Sequence, residues 1–177
     1  MSASSEPAPV ERRPGRRRGD VLAGTAIAIG VAFLGAPIGL LWSAVAPRAR
    51  VVVLAGGPDL VDPNTKAFIA ADGTFLLLTG AAGLLCAALA LLLGGRRHGV
   101  ATALGLAVGG LAGSYLAWRV GYRIGLADFR RAVRGPVGTS TVLNLSLRAK
   151  GVLVAWALTG LLTVVVVAVR AHHDDQL

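Results

Sequence analysis

Five arginines crowd the stretch after the third apolar run: Arg119, Arg123, Arg130, Arg131 and Arg134. A guanidinium pairs with phosphate through a planar fork. Arg119 and Arg123, four apart at a membrane surface, suit a lipid phosphate or an anionic wall polymer. Snorkelling anchors explain the same residues, with Asp128 three positions before Arg131 as a helical pairing partner. Asp59, Asp62 and Asp72 resemble an acidic catalytic set, but the turn residues Gly56-Gly57-Pro58-Asp59 favour solvated loop carboxylates. Asp72, just ahead of an apolar run, fits a helix N-cap region. His172-His173 with Asp174-Asp175 reads as a solvated tail before it reads as a loose metal site. Cys86 is the one cysteine, so an intrachain disulfide and a cysteine-based metal site are both excluded. It lies in an apolar run, where hydrocarbon disfavours a thiolate, and is expected to act as a small packing residue. Asn144-Leu145-Ser146 matches a glycosylation sequon, a common accident. No catalytic residue, metal or cofactor is expected.

Absent patterns support that expectation. The sequence has no HExxH, no G-x-S-x-G and no phosphate-cradling Gly-Lys-Ser. No ionisable residue lies deep within an apolar run, where proton relays and ion pathways need one. A pump or an ion-coupled transporter is therefore disfavoured, although a pore built from several copies is not.

The strongest spacing pattern is a ladder of small residues in steps of four: Ala101, Gly105, Gly109, Gly113, Ala117, Gly121 and Gly125. Small residues let helix backbones approach closely, and packing then drives association in lipid. On a helix of 3.6 residues per turn each step of four drifts by about 40°, so no single straight neighbour covers the whole ladder. Gly35 and Gly39, and Gly83 and Ala87, are matching notches in earlier runs. Packing within one bundle accounts for the ladder more readily than dimerisation.

These residues require apolar helices to carry them. The 177 residues are 54% hydrophobic and 15% charged, with a mean hydropathy of +0.66, against roughly 25% charged in soluble domains. The charges cluster and leave four bare stretches, at about 21–44, 74–93, 100–118 and 152–169, each long enough to cross a bilayer. A soluble enzyme, a disulfide scaffold and a disordered chain are excluded. The expected fold is an all-α membrane protein of four transmembrane helices, with a small extracytoplasmic cap of short β-strands formed by the 1–2 and 3–4 loops, 45–73 and 119–151. The β-branched Val51-Val52-Val53 predicts one strand, Leu60-Val61-Asp62 its return, and the alternation over 141–148 a third that pairs with 51–54. Residues 66–71 read as a short helical lead-in to the second span. Pro37, between Gly35 and Gly39, predicts a kink in the first, and Trp42 suits the outer interface. Past Trp118 the third helix is expected to run beyond the hydrocarbon or bend onto its surface. Residues 1–20 read as a disordered basic tail and 171–177 as a short polar one.

The net charge of +9 flanks the spans, which points to membrane orientation and not to nucleic acid. Arg12, Arg13, Arg16, Arg17 and Arg18 before a hydrophobic run resemble a signal-peptide n-region, and Ala44-Val45-Ala46 a cleavage site. Pro47 and the length of the run favour an uncleaved anchor. With the N-terminus inside, inner segments carry eight Lys and Arg and outer segments ten. The rule weights the first helix, and its five preceding arginines place both termini in the cytoplasm.

Four segments resemble small four-span actinobacterial membrane proteins of unassigned function: Gly39-Leu40-Leu41-Trp42 leading to Ala46-Pro47-Arg48; Phe68 to Gly73; Ala117 to Gly121; and Leu147 to Val152. The resemblance covers about Val21 to Val169. It implies four spans and a high-GC source, in keeping with the Arg-, Ala- and Gly-rich composition, and it carries no activity. Expected partners are the lipid bilayer and a membrane-protein partner or second copy. The expected role is a non-enzymatic accessory or scaffold subunit of the bacterial plasma membrane; the alternative is an envelope lipid or anionic-polymer binding or transfer protein.

Overall fold

A computed structural model describes residues 14–55, 57–61, 66–93, 99–134, 136, 138, 140–142 and 147–174. Four helical segments among them are long and apolar enough to cross a membrane: Arg18–Val45, Ala67–Leu92, Gly99–Arg131 and Lys150–Ala171.

The first segment is two helices, α1 (Pro14–Phe33) and α2 (Gly35–Val45). Helix α1 starts earlier than the expected 21, with Pro14 at a position whose N–H has no helical partner in any case. The break at Leu34 is the work of Pro37. Proline has no N–H for the Phe33 carbonyl, and its ring crowds that carbonyl. The bonds flanking the break, Leu34 N–H to Gly30 O and Ile38 N–H to Leu34 O, are both stretched to 3.3 Å.

Helix α3 (Ala67–Leu92) is continuous. The expected lead-in at 66–71 is its first turn, and Asp72-Gly73 does not interrupt it. Helix α4 (Gly99–Val133) runs unbroken for 35 residues, about 52 Å at 1.5 Å per residue. It thus exceeds a hydrocarbon core of roughly 30 Å. The last segment opens as a 3-10 helix (Lys150–Val154) and continues as α5 (Ala155–Asp174), so the helix reaches into the expected polar tail.

A three-stranded antiparallel sheet, ordered β2-β1-β3, joins the two long loops. Strand β1 (Arg50–Leu54) pairs with β2 (Gly57–Leu60) and with β3 (Ser140–Val142). The pairing of Leu54 with Gly57 closes the hairpin more tightly than the expected turn over 56–59. Pro58 is tolerated because β2 is an edge strand. Val51 and Val53 alternate into the interior. Gly138 donates to Val53 O at 2.8 Å and has φ +91°, which a side chain would strain. The third strand stops short of the expected 148. Residues 143–146 lie outside the described set, and Leu147 to Ala149 are not strand.

Helix α4 is the hub. It packs along α1 and α2 on one side and along α5 on another, while α3 packs along α5. Gly24 meets Gly105, Gly35 meets Gly113 and Gly39 meets Ala117, so the first segment runs parallel to α4. Gly110 meets Ala157 and Leu106 meets Gly160, so α5 runs antiparallel. These pairings put the polar ends in register. Asp20 stands level with Gly99 and Arg170 at one end. At the other, Trp42, Asp72, Arg119 and Ala149 share a level about 20 residues away, roughly 30 Å along a helix.

Candidate functional site

The small-residue ladder lies against the first segment. Gly105 meets the Gly24 backbone, Gly109 meets Ala28 and Val31, and Gly113 meets Gly35 and the Trp156 ring. Ala117 meets Gly39, Gly121 meets the Trp42 ring, Ala101 meets Gly24, and Gly125 is buried. A Cβ on Gly35 would stand 2.9 Å from Gly113 Cα, and one on Gly39 2.9 Å from Ala117 Cα, closer than real side chains come. The bend at Leu34 lets one chain segment follow a ladder that wraps: α1 takes its lower rungs and α2 its upper ones. Gly83 faces α5 instead, at Thr159 and the Trp156 carbonyl, and Ala87 packs with Cys86, Leu106 and Trp156.

Where the cap meets the bundle, four chain segments converge. Trp42 is fully buried, not at an outer lipid interface as expected, because Ala117 and Gly121 leave room for its indole on α4. Its Nε1–H donates to Ala71 O at 3.0 Å, and its ring meets Phe75 edge-on at 5.0 Å. Leu147 fills the same cluster with Ala46, Ala71 and Ala117. Asp72 is not a helix cap. It lies in the second turn of α3, whose cap position is Lys66. Its Oδ1 accepts the Arg148 N–H at 3.2 Å and its Oδ2 the Ala149 N–H at 2.9 Å. The Arg148 guanidinium sits 3.8 Å above the Phe68 ring, a cation–π contact. Arg48 donates to the Ser43 carbonyl near the end of α2.

Both Asp72 oxygens thus hold the return of the long second loop, and this clamp explains why Leu147 to Ala149 are not strand. Leu147 must enter the core and the next two amides must turn toward α3. Asp72→Ala should lower unfolding stability by about 1.5–3 kcal/mol, the usual loss for hydrogen bonds to a charged group. Asp72→Asn, with one acceptor oxygen left, should fall between wild type and alanine in a denaturation series read by tryptophan fluorescence. An alanine variant as stable as wild type would refute the clamp.

The remaining sequence candidates do not assemble. Asp59 is in β2 opposite Val52, and Asp62, Asp175 and the sequon residues lie outside the described set. Among the described residues no group of three His, Cys, Asp or Glu gathers to hold a metal. Cys86 is buried and free. Thr79, Thr159 and Thr163 each return their hydroxyl to the carbonyl four residues earlier, whereas Ser114 Oγ is buried without a partner among the described residues.

The arginine group divides. At 100° per residue, Arg119, Arg123, Arg130 and Arg134 fall within a wedge of about 60°, and Arg131 lies about 120° from Arg119. All but the half-buried Arg119 are exposed. Tyr115, Trp118 and Tyr122 form a tilted aromatic row beside the lower two, with centroids 5.7 and 6.3 Å apart. Four of the five are thus a stripe, a division the spacing of the residues already contained. By contrast, no sequence signal pointed to the Asp72 clamp or to the inward turn of Trp42. Comparison with protein-family models, curated proteins and solved structures gives no match.

Proposed function

We propose that this chain is a multi-pass protein of the bacterial plasma membrane, with both termini in the cytoplasm, acting as a non-enzymatic accessory or scaffold subunit. The observation that carries this reading is the clamp. The acidic group best placed for chemistry has both oxygens on backbone amides, so its role is to hold a shaped cap on the bundle. The ladder is covered by the chain's own first segment, which leaves the cap as the surface a partner reads. The two polar levels, about 30 Å apart, match a hydrocarbon core, and the five arginines ahead of the first span favour a cytoplasmic N-terminus.

Single cysteines replacing Lys66 and Lys150 in a Cys86→Ala background should both react with an impermeant reagent added outside, and one replacing Arg96 should not. Labelling of the two lysine positions from opposite sides would overturn the topology. Crosslinking in native membranes should return one consistent partner with wild type and lose it with Asp72→Ala. A chain that crosslinks to nothing would overturn the scaffold role.

The arginine stripe favours a second reading, an anion-binding protein of the cell envelope. Its carrying observation is that Arg119, Arg123 and Arg130 share one face of α4, with Arg134 next after its last residue.

A further inference from the structure

The arginine stripe adjoins the outward side of α4. Leu104, Val108, Leu111 and Tyr115 are exposed lower on the same helix, in the sector immediately beside the stripe on a helical projection. The ladder winds from the stripe's own sector at Ala101 and Gly105, where α1 covers it, to the opposite side at Gly121 and Gly125, about 200° and 240° round from Arg119, where Trp42 of α2 lies on Gly121. Arg119 therefore stands where an exposed apolar strip ends, beside Tyr115 and Trp118. The other three continue along the axis at about 6, 16 and 22 Å beyond it. A headgroup layer is only about 5–8 Å deep on each side of a bilayer. Arg119 and Arg123 fit within that depth, and Arg130 and Arg134 lie above it.

The helix cannot lower the upper pair onto the surface by lying down. Gly39 on Ala117 and Trp42 on Gly121 tie α4 to α2 past the level of Arg119, Gly125 is buried, and β3 packs on its upper part. None of the four arginines has an acidic partner among the side chains described.

We propose that the stripe binds an extended polyanion, bearing phosphate groups along its length, laid along the outward side of α4. This rests on the anion-binding reading and narrows it: a single lipid headgroup engages the lower pair, and a linear polymer engages all four.

The test uses the full chain in phosphatidylcholine nanodiscs, with long-chain polyphosphate and tripolyphosphate as probes. Phosphatidylglycerol-doped discs are compared in parallel by native mass spectrometry. The long chain should bind at least about tenfold tighter than tripolyphosphate, because it spans both pairs. Arg119→Ala/Arg123→Ala and Arg130→Ala/Arg134→Ala should each weaken it, and each should reduce the salt dependence by the release of about one to two counterions. Lys150→Ala, off the stripe, should leave binding unchanged. If the Arg130/Arg134 pair has no effect while the Arg119/Arg123 pair abolishes phosphatidylglycerol retention, the ligand is a headgroup; the polymer is then overturned and anion binding stands. If no probe binds, or if a variant lacking all four arginines binds as wild type does, both fall.

Discussion

Gly39→Leu will prevent the normal fold, and Gly35→Leu will do the same. At each position the first added carbon already stands 2.9 Å from a backbone Cα of α4. Backbone cannot rotate away as the end of a side chain can, so the helices must separate. Overpacking of this kind costs about 1–3 kcal/mol for a methylene or two and more when backbone must move. Leucine adds four carbons where no room exists for one. Separation also removes close van der Waals contact over the whole ladder, and that contact is what holds helices together in lipid. The contrast is set by Gly30 and Gly73, which have nothing within 4 Å of an added Cβ. Alanine there should be neutral or stabilise by about 0.5–1 kcal/mol through helix propensity. Unfolding in a mixed-detergent titration, read by tryptophan emission, checks both sets. Wild-type behaviour of Gly39→Leu would mean that α2 does not lie on the ladder.

Trp42→Ala should destabilise the protein by about 3–5 kcal/mol, the largest loss expected from truncating any one side chain. The indole is fully buried among Ala46, Ala71, Phe75, Ala117 and Leu147, and its removal also leaves the Ala71 carbonyl without the Nε1–H. Trp42→Phe keeps most of the volume and should cost about 0.5–1.5 kcal/mol for the hydrogen bond. Trp42 and Gly121 are complementary. A Cβ on Gly121 would run into Cε3 of the indole and stand 2.9 Å from its Cζ3, so Gly121→Leu alone is destabilising. In the Trp42→Ala background the same leucine enters the vacated space. The double variant should then be more stable than the sum of the two losses predicts, by an interaction energy of about 0.5–3 kcal/mol. Strict additivity would show that the two residues do not touch.

These two residues also show what hydropathy and spacing can convey. Runs of about 20 apolar residues are readable because each helix must satisfy the lipid along its own length, a local requirement. The steps of four in α4 are readable for the same reason, since a helix face is set by the spacing of its own residues. Trp42 was expected at the lipid interface because composition has no direction. An indole near a membrane edge is equally suited to lipid headgroups and to a slot of glycines, and the slot comes from Gly121, 79 positions later. The bend came out three residues before Pro37 because the lost bond belongs to the Phe33 carbonyl. Asp72 resembled a cap residue because its local setting, an acid before an apolar run, is that of a cap. Its partners are 76 and 77 positions away. Leu147 and Arg148 read as strand for the same reason, since alternation in 141–148 persists whether or not Leu147 is drawn into the core.

The parallel pairing of the first segment with α4 has a consequence for biosynthesis. At about 5–20 residues per second, the ribosome completes α2 several seconds before it completes the ladder that α2 must meet. Throughout that interval the Gly24, Gly35 and Gly39 notches lack the α4 backbone that covers them. Asp72 waits about as long again for the amides of Arg148 and Ala149. Helix α5, which packs on both α3 and α4, is made last of all, so a nascent chain stalled before Leu147 lacks both the clamp and the helix that joins α3 to the hub.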